Sequence, residues 1–417
     1  MPFRKIINDP VYGFITIDDP LIFRIISHPW YQRLRRISQM ALSYLVYPGA
    51  THSRLHHSLG AYHLMGIAVA ELRSKGTEIT AEEERAVKIA ILLHDIGHGP
   101  FSHALESVLI EDLDHEEISV LLMDKLNEQF GGELSMAIEI FRGGYPKKFL
   151  RQLISGQLDV DRMDYLTRDS FFTGVVEGTV GYDRLIKMLV VHEGQLMVEE
   201  KGIYSIEKFL VARRIMYWQV YLHKTVLSAE MTLVKILQRV KALALTAPEL
   251  VPVSDPLQGF LLKQYPGTIK QHIDQFCALD DTDVITAVKK WSRSPDTVLA
   301  LLCRTVLDRR LFKLDLQSTP ISTDTVQTRR QALARELGIS DEDAAFLVFT
   351  GEAVNTLYDP FDDRINILYR NGTVRDISLV DDALIQQNMS HPVKKFYICY
   401  HVPAQVPDLP ESPAGKP

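Results

Sequence analysis

An apolar run from Ala86 to Leu93 ends in the adjacent pair His94-Asp95 and then breaks at Gly97 and Gly99-Pro100, and no other feature constrains this chain as much. The run has the length and residues of a buried helix, and the glycines and proline fix where that helix stops. A helix buried this deeply cannot end in an imidazole and a carboxylate without partners, because an unpaired buried polar group is costly. His98 and His103 follow in the loosened backbone beyond it. Histidines this dense at a helix end suggest a metal and a charged ligand, so other helices must bring further ligands to the same point.

The chain is long enough, at 417 residues, for one large domain and a smaller one. Apolar residues at 46% and charged residues at 24% describe a soluble globular protein. A net charge of −7 is mild for this length, so nothing global indicates nucleic-acid binding or an anionic membrane. Cys277, Cys303 and Cys399 lie far apart in no metal-like spacing, which fits a reducing compartment. No apolar signal-type segment is present, and no run approaches the ~18 apolar residues that span a bilayer. The expectation by elimination is a cytoplasmic protein without membrane contact.

Residues 9–18 alternate apolar and polar and predict a strand or hairpin. Asp19-Pro20 opens a helix with Leu21, Ile22, Ile25 and Ile26 on one side, and residues 30–40 read as a second helix. The basic set Arg33, Arg35 and Arg36 is dense for a helix that also carries Gln39; it reads as a solvated basic face or, for some of these arginines, as lying near a subunit boundary or a nucleotide phosphate. A turn-rich loop then leads into a helix from Arg54 to about Arg73, with Arg54 and His57 sharing a face at the end where phosphate can sit. Helices are expected over 82–93, 101–109, from Asp114 as N-cap, and over 147–156. In 157–169, Asp161, Tyr165 and Asp169 recur at spacings of four, so one helix can present them together while Leu158, Val160, Met163 and Leu166 are buried. A long helix over 204–239 carries Arg213, Tyr221, His223 and Lys224. Proline-rich residues 247–256 predict a lobe boundary, with helices over 257–317. Strands are expected over 346–350, 365–377 (turning at Asn371-Gly372) and 395–401. The fold class is therefore mainly α, with a large first domain over 1–245, a helical plus α+β C-terminal lobe over 257–405 and a disordered tail over 406–417.

His57, His94, Asp95 and Asp161 come from three separate helices. Two imidazoles and two carboxylates suit a divalent transition metal such as Mn, Fe, Co, Ni or Zn. His98, His103 and His115 can move protons near neutral pH, and Arg54, Arg162, Arg213, His223 and Lys224 can hold several phosphates.

The order H…HD…D resembles the HD-domain phosphohydrolase superfamily. The segments Gln32-Arg-Leu-Arg-Arg-Ile, Tyr47-Pro-Gly-Ala-Thr-His-Ser-Arg-Leu-His-His-Ser-Leu-Gly60, His94-Asp-Ile-Gly-His-Gly-Pro-Phe-Ser-His103 and Asp159-Val-Asp-Arg-Met-Asp-Tyr-Leu-Thr-Arg-Asp169 are similar to the deoxynucleoside triphosphate triphosphohydrolases. That branch includes the mammalian enzyme pairing a SAM domain with an HD domain, and bacterial relatives. The resemblance covers about residues 5 to 240 and implies a helical HD domain. It also implies that His57, His94, Asp95 and Asp161 are the metal ligands, and that Arg54, His98, His103, His115 and Arg213 surround a triphosphate. By the same likeness His103 protonates the leaving 5′-oxygen and Glu106 supports it. Tyr165 and Asp169 contact the sugar, Gln39 senses the 3′-hydroxyl, and Tyr221 and His223 line the pocket. The implied reaction is hydrolysis of a nucleotide substrate, a dNTP, to deoxynucleoside and tripolyphosphate, with Mg accompanying the triphosphate. The implied assembly is a homo-oligomer, dimer or tetramer. Arg162 stands where relatives often have lysine, His56 where an acid is common, which adds a proton carrier, and Met40 where leucine is usual. No motif in the C-terminal third matches, and no SAM domain is seen. Two rival readings use the same ligands or the same pocket: an HD phosphohydrolase acting on a nucleoside monophosphate or signalling nucleotide, and a non-catalytic nucleotide or nucleic-acid sensor. The intact ligand quartet speaks against the sensor.

Overall fold

Side-chain caps set most of the helix starts, in a computed structural model that describes residues 3–110, 113–265, 269–355, 358, 364–380 and 393–403. The tail expected over 406–417 lies outside the described residues. Asp19 accepts from the backbone N–H of Leu21 at 2.8 Å and, with Pro20 in the first turn, starts the Pro20–Ser27 helix. Capping boxes of Thr80 with Glu83 and Asp114 with Glu117 start Ala81–Leu93 and His115–Gln129. Asp159 accepts from the Arg162 N–H at 2.7 Å and starts Val160–Thr173, which stops at Gly174 in the left-handed region (φ 75°).

Three expected helices are not continuous. Residues 30–40 form only the short turns Pro29–Gln32 and Arg33–Arg36 before the backbone extends at Ile37 and Ser38 bridges to Ser53. Arg33 explains this: it is fully buried and donates to the carbonyls of His98 (2.9 Å), Ile96 and Leu279 (both 3.0 Å), stacked 4.7 Å above the Phe276 ring. The expectation for this basic set is thus corrected for Arg33, an internal strut; Arg36 pairs with Asp280 while remaining exposed. Residues 101–109 form two short turns, Ser102–Ala104 and Glu106–Leu109, divided at Leu105 (φ −115°, ψ −1°), and the first opens with Phe101 and Ser102 at positive φ (55° and 51°). The long helix over 204–239 is Ile203–Met216, a π-turn Tyr217–Tyr221, and Lys224–Ala244, whose first turn His223 caps through Nδ1.

Strands β1 (Lys5–Asp9) and β2 (Gly13–Ile17) form a hairpin, of which the stretch expected over 9–18 supplies the turn and β2, while β1 leads into it. A second hairpin, β3 (Leu189–His192) and β4 (Gln195–Glu199), has no counterpart in the sequence reading. β5 (Lys313–Gln317), in a stretch read as helical, pairs antiparallel with β9 (Val393–Tyr400), which also pairs with β6 (Val348–Asn355). β7 (Asn366–Leu368) and β8 (Val374–Asp376) make the Asn371-Gly372 hairpin, and β7 runs parallel to β4 with Ile367 opposite Val198. The C-terminal hairpin therefore returns to the first half of the chain.

The fold is mainly α with a smaller α+β C-terminal region, and its apolar interior forms two clusters. The first is built on the packed helices Arg54–Ser74, Ala81–Leu93 and Val160–Thr173, through Leu64, Ile91, Leu92 and Leu166. The second packs Lys224–Ala244 against Thr297–Leu307 and β5, through Leu233, Ile236, Leu299 and Leu302. The Lys224–Ala244 helix thus contributes its apolar face to the second cluster, although the sequence reading grouped it with the first domain. Ala41, Leu42, Phe101 and Leu105 also belong to that cluster, whereas Met40 belongs to the first. Two loops therefore run along the seam, and Asp281 pins both, accepting from the N–H of Ser38 at 2.8 Å and of Phe101 at 2.7 Å. Among the described residues no helix is long and apolar enough to cross a membrane.

Candidate metal centre and substrate cavity

Three helix ends converge: the first turn of Arg54–Ser74 brings His57, the end of Ala81–Leu93 brings His94, and the first turn of Val160–Thr173 brings Asp161. His57 Nε2 lies 3.3 Å from His94 Nε2 and 3.0 Å from Asp161 Oδ1, and His94 Nε2 lies 3.4 Å from the same oxygen. The far nitrogen of each ring is already engaged. His94 Nδ1 is 2.6 Å from the Ile91 carbonyl, and His57 Nδ1 is 2.8 Å from Asp164 Oδ2. A carbonyl only accepts, so His94 carries its proton on Nδ1 and presents a lone pair at Nε2. Two imidazole lone pairs facing each other beside a carboxylate need a cation between them, and a divalent metal fits this donor set. The surrounding field favours positive charge here: burial alone would lower His57, but its bonds to Asp161 and Asp164 outweigh that and push it up to about 10. Burial would raise Asp161, yet the bonds to His57 and His94 hold its carboxyl well below the usual range.

Asp95 lies against this trio at separations like those within it. Its Oδ1 is 3.4 Å from His94 Nε2 and from His98 Nε2, and its Oδ2 is 3.5 Å from His57 Nε2 and 2.5 Å from Arg54 Nη1. Arg54 Nε in turn donates to Ser102 Oγ at 2.9 Å.

Beside the trio, His98 and His115 stack at 4.0 Å with 13° between the rings, and His103 stands edge-on to both. Glu106 spans the last two: Oε2 is 3.0 Å from His103 Nδ1, and Oε1 accepts from His115 Nδ1 at 2.9 Å and from its backbone N–H at 2.7 Å. Burial would lower His115, but the Glu106 bond raises it. Burial and then the Arg54 charge push His98 well down, so it is neutral. These four residues are close enough to gather an ion. Parallel rings cannot both aim in-plane lone pairs at one ion, however, so they serve a bound anion and its protons better.

One cavity of about 380 Å³ joins these groups to a second wall. Asp95, Asp161, Arg54 and the three histidines lie on it together with Gln39, Arg162, Tyr165, Asp169 and Tyr221. Asp169 is held at both oxygens, by His52 Nε2 and by the Tyr221 hydroxyl, each at 2.7 Å. Gln39 Oε1 is buried with no hydrogen-bond partner among the described residues. Arg213 Nε and Nη1 are likewise buried and unpaired, the guanidinium 5.9 Å from the Tyr217 ring.

Arg213, His223 and Lys224 do not line the cavity. His223 is occupied as a helix cap and Lys224 is exposed. His56 also turns aside, in a capping box with Ser53. Conversely, Ser102, Tyr217 and Glu230 line the wall without having been singled out in the sequence, and His52 and Asp281 support it. Tyr217, four residues before Tyr221, is the one that spacing could have found. Glu230 is supplied by the Lys224–Ala244 helix, and burial pushes its carboxyl up to about 8 against a bond from the Leu42 N–H.

Comparison with known proteins matches the family model described as HD domain over residues 54–169, an interval that starts at Arg54 and ends at Asp169, and the HD associated region over 180–269. The chain is 32% identical to the uncharacterized Bacillus subtilis protein YwfO over 386 residues, covering 90% of this chain and 87% of that one. It is 34% identical over 264 residues to the Gallus gallus deoxynucleoside triphosphate triphosphohydrolase SAMHD1, covering 53% of this chain but only 43% of that protein. The crystal structure of a phosphohydrolase from Bacteroides thetaiotaomicron superposes with a TM-score of 0.92 at 48% identity, over 96% of this chain and 100% of that one.

Proposed function

The chain belongs to the HD-domain phosphohydrolase superfamily, in its dNTPase-like branch, and from that premise we propose that this metal-dependent phosphohydrolase cleaves deoxynucleoside triphosphates to deoxynucleoside and tripolyphosphate. One observation carries the choice of substrate. The cavity wall that Asp161 forms, in contact with His57 and His94 behind it, also carries Tyr165 and Gln39, whose buried Oε1 has no hydrogen-bond partner among the described residues. A buried unpaired acceptor is destabilising, and a 3′-hydroxyl is a donor of the right kind. A tyrosine ring against the sugar leaves little room for a 2′-hydroxyl, and unpaired polar groups discriminate more sharply than lost apolar contact. Positive charge points the same way: Arg54 and Arg162 on the wall, with the unpaired Arg213 donors near Tyr217, exceed what one phosphate needs.

His57, His94, Asp95 and Asp161 would hold the metal, which supplies Lewis-acid chemistry at the phosphoryl group when bound. Mg would accompany the triphosphate. His103, turned by Glu106 so that Nε2 is free, donates a proton to the 5′-oxygen as the bond from the α-phosphorus to that oxygen breaks and water adds to phosphorus. His115, fixed by the other Glu106 oxygen, and neutral His98 receive phosphate oxygens beside Arg54. Asp169, clamped by His52 and Tyr221, accepts from the sugar.

Phosphorus NMR of the reaction tests the reading. The expected first product from dATP is intact tripolyphosphate, with ATP a poor substrate. Orthophosphate or pyrophosphate as first product, or equal rates on ATP and dATP, favours the other nucleotide phosphoesters instead.

A further inference from the structure

Behind His57 lies a file of buried charges that reaches the N-terminal hairpin. His57 Nδ1 meets Asp164 Oδ2 at 2.8 Å. Arg168 donates to both oxygens of that carboxylate, Nε to Oδ2 at 3.1 Å and Nη2 to Oδ1 at 3.0 Å. The other side of the guanidinium donates to Asp9, Nη1 to Oδ2 at 2.8 Å and Nη2 to Oδ1 at 3.3 Å, and its carbon lies 5.4 Å from the Tyr12 ring. Asp9 ends β1, and its Oδ1 also accepts from the N–H groups of Val11 and Tyr12, both at 2.9 Å, tying the turn between β1 and β2. Asp164 and Arg168 have no exposed surface, and Asp9 has 7%. Space is reserved for them: a Cβ on Gly60, one turn beyond His57, would collide with the Asp164 carboxylate and the Arg168 guanidinium.

Burying such charges is a poor way to gain stability, since their desolvation cancels much of the attraction and apolar residues of similar volume often do as well. Their value must lie in what they hold. A carboxylate on Nδ1–H fixes the imidazole tautomer, leaves the lone pair on Nε2 and strengthens it as a donor. Arg168 grips both Asp164 oxygens, so the carboxylate cannot rotate away. Asp9 balances the other edge of the guanidinium, without which Arg168 would draw the Asp164 charge away from His57.

We propose that Asp164 is the positioning residue for the metal ligand His57 and that Arg168 and Asp9 set it, which couples the β1–β2 hairpin to metal affinity. This rests on the reading of His57 as a ligand. The experiment compares full-length wild type, Asp164→Asn, Asp164→Glu and Asp9→Asn, stripped of metal and titrated with Mn²⁺ and Co²⁺ against a competing chelator. Thermal unfolding of the stripped proteins and the NMR signal of the His57 Nδ1 proton are measured alongside. Asp164→Asn should weaken metal binding by about 10–100-fold, the usual worth of a carboxylate behind a ligating histidine, and lose the protected Nδ1 signal. Asp164→Glu should recover part of the affinity, and Asp9→Asn should lose less than Asp164→Asn. If Asp164→Asn is less stable but binds metal like the wild type, the file is merely structural and the proposal fails. Should Asp164→Asn not fold, Asp9→Asn decides, because it touches no ligand: unchanged affinity there overturns the coupling. A wild type that takes up neither ion overturns the metal reading and this inference together, whereas a metal-binding wild type with unaffected variants overturns this inference alone.

Discussion

Glu106→Gln isolates proton delivery from metal binding. Glu106 uses one oxygen for His103 Nδ1 and the other for both N–H groups of His115. A glutamine has one accepting oxygen. The arrangement that keeps most bonds leaves that oxygen on His115 and turns the amide NH₂ toward His103 Nδ1, which must then accept. The protonated form of His103 loses its charge-assisted bond, worth about 1.5–3 kcal/mol. Its side chain is 65% exposed, so water replaces part of that bond and the lower end applies. A loss of about 1.5 kcal/mol is roughly tenfold in the rate of a step that relies on that bond. His115, which the Glu106 bond raises, falls as well. The expected result is a kcat loss of about 10–30-fold on dATP near pH 7, within the range for a misplaced general acid. The limb where activity declines with rising pH should move to lower pH, because the Glu106 carboxylate that raises His115 is gone. Metal content should not change, since Glu106 bonds to none of the ligands. The assay is kcat at saturating dATP from pH 5.5 to 9, with elemental analysis of each sample. Wild-type kcat across that range, or a loss that follows metal content, would refute the assignment.

Asp95→Ala should abolish both metal retention and turnover, since it removes the charge shared with His94 and leaves Arg54 buried without its partner; a metal-free variant that still hydrolyses nucleotide contradicts this. Glu230→Gln should change the pH dependence of stability. A carboxyl raised to about 8 favours folding fully below its ordinary pKa and loses that contribution as pH rises through about 8. The variant should therefore gain on the wild type between pH 5 and pH 9, by at most about 5 kcal/mol and by less because the carboxyl borders an open cavity; parallel denaturation curves at the two pH values refute the burial account. A homo-oligomer, dimer or tetramer, is expected from the family likeness, and light scattering that gives a monomer at micromolar concentration with and without dNTP rejects it.

Residues legible in the sequence share one property: a local pattern announces them. His94-Asp95 ends an apolar run, and Asp161, Tyr165 and Asp169 follow helical spacing, so all of them could be placed on a face before any partner was known. The same holds for the helix starts at Asp19 and Asp114 and for the turn at Asn371-Gly372. Periodicity failed where the backbone leaves regular geometry. Phe101 and Ser102 take the left-handed region, and the helix expected over 101–109 divides at Leu105. The π-turn at Tyr217–Tyr221 rotates the residues C-terminal to it, so that His223 caps a helix and Lys224 faces outward. Such irregular backbone gathers at functional sites, and here both stretches carry cavity residues.

Arg33 and Arg36 mark a different limit, because a pattern can give the face of a short segment but never the partner that the topology brings to it. Both arginines sit in one basic run, yet Arg33 is buried against three carbonyls while Arg36 stays exposed and pairs with Asp280. The segment that receives them, Leu279 to Asp281, lies some 240 positions away and also holds the N–H groups of Ser38 and Phe101. One short stretch of the second core thus sets the backbone on which Gln39 and Arg54's partner Ser102 are presented. That explains why a C-terminal region without any recognisable motif still bears on the site: its chemistry is positional, exerted through backbone N–H groups and carbonyls, which leave no mark in the identity of the residues they hold.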